Sequence, residues 1–140
     1  MTMMYQIQPS TPFALLDRTT SRIERLEEDV KFYFDQGYAH PEDASAEIRD
    51  TVLFQDVSWK QSYVYLMEAE ESNGAFYGRK LSLEEFIKRY YIYTLDILSE
   101  SYGNHLATYT GYLYLPDRQK EVHMTVSIRY TGQAVYEMED

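Results

Sequence analysis

Residues 81–102, LSLEEFIKRYYIYTLDILSESY, decide how the rest of the chain is read. Ser82 and Glu85 form an S-x-x-E capping box, in which each side chain satisfies a backbone N–H left open at a helix start. Leu81 before the cap and Phe86 beyond it are spaced for a hydrophobic staple. Glu84 and Glu85 sit in the first turn, where the helix dipole favours negative charge. Leu83, Phe86, Ile87, Tyr90, Thr94, Ile97 and Leu98 share one helical face. Ile92 points the opposite way and Leu95 to one side, so the middle turns are apolar nearly all round. Gly103 supplies a left-handed stop. The pattern predicts one long central helix, Leu81 to Tyr102, covered on two sides.

Toward the N-terminus, Ser21 and Glu24 make a second capping box. It opens a helix expected to run to about Gln36 and to stop at Gly37. Ile23, Leu26, Val30 and Phe34 form its buried stripe. Phe32 falls off that stripe, about 180° from Ile23 at roughly 100° per residue, and its neighbours there are Glu28, Asp29 and Asp35. Pro41, Glu42 and Asp43 favour another helix start, and a second helix is expected to about Phe54 with Ala44, Ile48 and Val52 inward. Residues 1–19 carry two prolines and little periodicity and form a poorly defined N-terminal segment.

From Ser58 the period changes to two, with Trp59, Tyr63, Tyr65 and Met67 alternating against Ser62, Val64 and Leu66. Asn73-Gly74 is a hairpin signal, and Ala75 to Lys80 form the return strand. Beyond Gly103, His105 to Leu115 reads as extended and Pro116-Asp117 as a turn. Glu121 to Tyr130 alternates cleanly, with Val122, Met124, Val126, Ile128 and Tyr130 on one face. Thr131-Gly132 turns into a last strand, Gln133 to Met138. The expected fold is α+β in a single domain over residues 1–140. It comprises two N-terminal helices, a β-hairpin, the long central helix and a C-terminal three-stranded antiparallel meander, with the strands forming one curved sheet.

The passage GAFYGRKLSLEEF, residues 74–86, is a short strand ending in Gly78-Arg79 before a capped helix bearing Phe86. It resembles the equivalent passage of NTF2-like cone-shaped domains, and the order of elements is compatible with that superfamily. The resemblance implies a conical sheet whose mouth often holds a small ligand, and frequently a homodimer through the sheet. It implies no particular reaction, because the superfamily includes enzymes, binding proteins and adaptors.

Thirteen basic residues against twenty-three acidic ones leave a net charge of −10. That argues against direct nucleic-acid binding, which relies on basic groups at the phosphates. Residues 24–56 hold ten acids and three bases, a net −7, and the rest of the chain contributes −3. The absence of cysteine excludes disulfides, thiolate metal sites and cysteine nucleophiles. No apolar run approaches the roughly 20 residues that span a bilayer, and residues 1–13 lack a signal-peptide pattern. A cytoplasmic protein away from membranes is expected, without cofactor or metal.

No phosphate-binding glycine loop, zinc-protease helix or EF-hand loop occurs. In a hairpin turning near Pro116, His123 faces Tyr112 or Leu113 and His105 faces Tyr130 or Thr131, which separates the histidines too far to share a metal. Asp96 falls on the outer side of the central helix, a poor place for a general base. The leading expectation is a non-catalytic acidic protein that binds a basic surface on a protein partner, for instance as an inhibitor occupying a nucleic-acid-binding site. Its contact residues would be Glu28, Asp29, Phe32, Asp35, Asp43 and Glu47. The alternative is an NTF2-like small-ligand-binding domain or lyase/isomerase-type enzyme, whose pocket would be lined by Trp59, Tyr63, Tyr65, Tyr90 and Tyr109.

Overall fold

The computed structural model describes the backbone of residues 2–5, 18–40, 43–69 and 76–138, and within them the side chains of residues 18–34, 51–67 and 78–137. Ten strands make one sheet: β1 (Thr2–Tyr5), β2 (Thr19–Leu26), β3 (Asp29–His40), β4 (Asp43–Phe54), β5 (Tyr63–Ala69), β6 (Phe76–Ser82), β7 (Thr94–Gly103), β8 (Leu106–Leu115), β9 (Lys120–Arg129) and β10 (Ala134–Met138). The one α-helix among the described residues, α1, is Leu83–Arg89. The sheet order is β1-β10-β4-β3-β2-β7-β8-β9-β5-β6, and every neighbouring pair is antiparallel.

Chain connectivity requires this sheet to roll. Laid flat, β9 and β10 would stand six strand spacings apart, roughly 29 Å at about 4.8 Å per spacing. Residues 130–133 join them, and so short a link reaches only about 17 Å. The inward side chains therefore meet across the roll. Phe32 on β3 lies 5.8 Å from Tyr109 on β8, and Phe54 on β4 lies 5.3 Å from Tyr130, centroid to centroid. The segment after β4 ties the two sides together: Val57 N–H donates to the Glu28 carbonyl and Ser58 N–H to the Arg129 carbonyl, both at 2.8 Å. Phe32, Phe54, Tyr109, Met124, Val126 and Ile128 are among the side chains sealed in this core.

Three expected helices are corrected. The stretch expected as a helix from Ser21 to Gln36 is the β2–β3 hairpin, turning at Glu27–Glu28. Val30, Phe32 and Phe34 alternate inward with period two, which explains why Phe32 fits no helical stripe. Residues expected in the second helix form β4, with Val52 opposite Phe32 and Phe54 opposite Val30. The long central helix ends after seven residues. Its cap forms as expected, with Glu85 N–H donating to Ser82 Oγ at 3.0 Å. From Tyr93 onward, however, Tyr93, Leu95 and Ile97 are buried while Ile92 and Leu98 are exposed. Aromatic and β-branched residues at this period favour a strand, and β2 and β8 flank β7 on either side. With a single seven-residue α-helix among the described residues, the α+β cone implied by the NTF2-like resemblance is not this fold.

The last three strands are also not one meander. β8 and β9 pair as a hairpin with Tyr112 opposite His123, but β10 leaves to pair with β4 and β1. At the bulge between Ile97 and Ser99, β8 presents Gly111. A Cβ there would lie 1.8 Å from the Asp96 carbonyl oxygen, so the close approach needs glycine. Among the described residues no helix is long and apolar enough to cross a membrane.

Candidate functional site: an arginine–tyrosine mouth

α1 lies across one end of the roll. Leu83 and Phe86 are buried beneath it, and Leu83 N–H donates to the Ser62 carbonyl at 2.9 Å. Arg25 on β2 holds Glu84 at 3.0 Å. After the helix, Tyr90 stacks on Phe86 at 4.8 Å, and the Tyr93 hydroxyl accepts the Ile23 N–H at 3.0 Å. These contacts place Tyr90, Tyr91 and Ile92 on the rim, with Tyr91 and Ile92 largely exposed.

Of the cavities at this rim, two share Arg79, Tyr90, Leu115 and Arg118. The outer one, about 270 Å³, is also lined by Arg89, Tyr91, Ile92 and Asp117. The inner one, about 140 Å³, is also lined by Leu66, Gly78 and Val122. Strand register explains the arginine at the edge: β5 and β6 pair Val64 with Leu81 and Leu66 with Arg79. Arg79 therefore shares the inward face of its strand with a core leucine. Arg118 belongs to the 3₁₀ turn Pro116–Arg118 between β8 and β9. The Arg79 guanidinium donates to the Tyr90 hydroxyl at 2.8 Å, and Arg89 pairs with Glu85 at 2.8 Å. Among the described residues neither Arg79 nor Arg118 forms an ion pair.

The residues expected to bind a basic partner separate. Glu28 is exposed on the β2–β3 turn. Asp29 is engaged within the fold, where its Oδ1 accepts the Asp56 N–H at 2.9 Å. Phe32 is fully buried and cannot anchor a surface contact. Asp35 falls in β3, and Asp43 and Glu47 in β4, but their side chains lie outside the described residues.

The five residues expected to line a pocket do not converge either, and of them only Tyr90 reaches the mouth. Trp59 lies under the Arg25 guanidinium, 4.2 Å from its ring centroid. Tyr63 and Tyr65 share the outer face of β5, with the Lys80 ammonium 3.9 Å from the Tyr63 centroid. Tyr109 is in the core, its hydroxyl 3.2 Å from that of Tyr102, which in turn donates to Glu100 at 3.0 Å. Burial pushes Tyr109 and Tyr102 well above the usual phenol range, and it pushes Tyr93 up to about 12. These phenols are held neutral as packing groups. Asp96 accepts from Thr19 Oγ1 at 2.6 Å on the outer surface. Among the described residues no cluster of three or more His, Asp or Glu side chains is placed to hold a metal ion.

Helical spacing and motifs assigned no site role to Arg79 or Arg118. The available signal was strand parity, which puts Arg79 two residues from Leu81 on one face of β6. Comparisons of the chain with protein-family models, with curated proteins and with solved structures give no match.

Proposed function

We propose that this chain is a non-catalytic binding protein that holds an anionic ligand at the Arg79–Arg118 mouth. The observation carrying this reading is the placement of both arginines on both adjoining cavities, without ion-pair partners among the described residues, in a chain of net charge −10. An acidic protein repels anions in general, so cations gathered at one concave site select where an anion can rest. A guanidinium presents forked donors that match carboxylate or phosphate oxygens. Isothermal titration with inorganic phosphate at low salt tests the reading. Binding should be weakened about tenfold or more by Arg118→Ala and unchanged by Lys60→Ala, an exposed control that lines neither cavity. Binding that is insensitive to Arg118→Ala overturns it.

The acidic excess supports a second reading, a basic surface on a protein partner, including an inhibitor role at a nucleic-acid-binding site. Its specific basis is the gathering of exposed Glu27, Glu28 and Asp56 at one turn, where Val57 N–H is bonded to the Glu28 carbonyl. Replacing all three by lysine should slow association with such a partner, because peripheral charges steer encounter. An unchanged association rate across salt concentrations removes this reading.

A further inference from the structure

Resting on the mouth as an anion site, we infer that its ligand is an amphipathic monoanion: a carboxylate head joined to an apolar body about the size of one aromatic ring. The two cavities differ in chemistry although they share Arg79, Arg118 and Tyr90. Alongside Leu115, which lines both cavities, the inner cavity alone adds the side chains of Leu66 and Val122. Each is at most 6 % exposed, so this surface is the margin of the hydrophobic core. An inorganic anion would engage the arginines and leave that surface wet. A neutral hydrocarbon would cover it and desolvate two guanidiniums without compensation. A molecule with both parts satisfies both.

Size and charge narrow the class. The inner cavity is about 140 Å³, close to the roughly 150 Å³ apolar cavity that accommodates benzene. At the outer cavity, Arg89 is already paired with Glu85, and Asp117 offsets one further positive charge on the lining. One uncompensated cation remains, which matches a single negative charge better than a polyphosphate. The Tyr90 oxygen accepts from Arg79, so its own O–H is available to donate to a carboxylate oxygen.

The test uses the full chain and three probes at constant ionic strength: benzoate, acetate and benzyl alcohol. Titration should show benzoate binding about tenfold or more tighter than either other probe, since acetate lacks the ring and benzyl alcohol lacks the charge. Arg118→Ala should weaken benzoate and acetate alike. Leu66→Phe, which narrows the inner cavity, should weaken benzoate and leave acetate unchanged. The probe series decides the matter even if that variant folds poorly. If acetate matches benzoate and both depend on Arg118, the amphipathic class is overturned and the anion site stands. If none of the probes binds, or if benzoate binding ignores Arg118→Ala, both readings are overturned.

Discussion

Between β3–β4 and β8–β9 the interior of the roll is filled by Phe32, Phe54, Tyr109 and Tyr130, whereas at the α1 end the inward row of β6 passes from Leu81 to Arg79. The change takes two residues on one strand. In the filled region the hydroxyls of Tyr102 and Tyr109 are bonded to one another, and dispersion and area burial dominate. At the mouth, cations adjoin the core margin and keep a concave surface open to solutes. The difference sets the packed core apart from the proposed binding mouth, so substitutions should divide between them.

The largest effect is expected at Met124, fully buried on β9. Met124→Asp introduces an unpaired charge whose burial costs more than a domain's usual margin of about 5–15 kcal/mol, and circular dichroism should show an unfolded chain. Thr125→Asp, one residue on and facing outward, should cost about 1 kcal/mol or less, chiefly through its 3.3 Å contact with Thr110. Equal damage from both would break the inside–outside distinction.

Phe54→Ala follows, at about 3–5 kcal/mol by urea denaturation, because Phe54 touches Phe32, Tyr109 and Tyr130. Provided the variant is folded, its affinity for benzoate should equal that of the parent. A loss of affinity would show that the filled region and the mouth are coupled.

The buried phenols supply the next effect. Tyr93 and Tyr130 titrate near 12 rather than the ordinary 10 because burial disfavours phenolate. The folded state therefore keeps these protons to higher pH than the unfolded state does, and their stabilisation is complete below pH 10 and lost as pH rises through about 12. The urea midpoint should be flat between pH 7 and pH 9 and fall above 10, with Tyr93→Phe reducing the fall. A midpoint that holds steady to pH 12 would contradict the burial of these hydroxyls.

The smallest effect is at the helix start, where Ser82→Ala removes the acceptor for Glu85 N–H and should cost about 1 kcal/mol. Benzoate affinity should fall slightly in parallel, since α1 positions Tyr90. An affinity loss much larger than the stability loss would mean that α1 moves on binding.

The β8–β9 hairpin was legible because its turn is local and its alternation spans a full strand. Pro116-Asp117 fixes where the chain reverses, and Val122, Met124, Val126 and Ile128 then fall inward as expected. The stretch 94–102 was not, because Leu83, Phe86, Tyr90, Thr94, Ile97 and Leu98 satisfy helical spacing while Tyr93, Leu95 and Ile97 satisfy strand spacing. Local pattern alone cannot choose between two periods that share Ile97. β2–β3 was misread for a related reason. Ser21 and Glu24 imitate a helix cap, and the actual turn at Glu27 requires a positive φ of 57°, which nothing in a Glu-Glu pair announces. Of the five residues expected to line a pocket, only Tyr90 belongs to the mouth.

From the sequence by itself came the features set within a few residues or by a total: the Ser82 cap, the β8–β9 hairpin and its buried face, the acidic excess and the absence of thiol chemistry. Only the tertiary structure decided the rest. Whether 94–102 is helix or strand depends on β2 and β8 being present to take its backbone hydrogen bonds. Whether Phe32 faces solvent or core depends on the roll that brings Tyr109 to it. Arg79 and Arg118, thirty-nine positions apart in the chain, share a cavity because β5 pairs with both β6 and β9 and so sets β6 two strands from the β8–β9 hairpin.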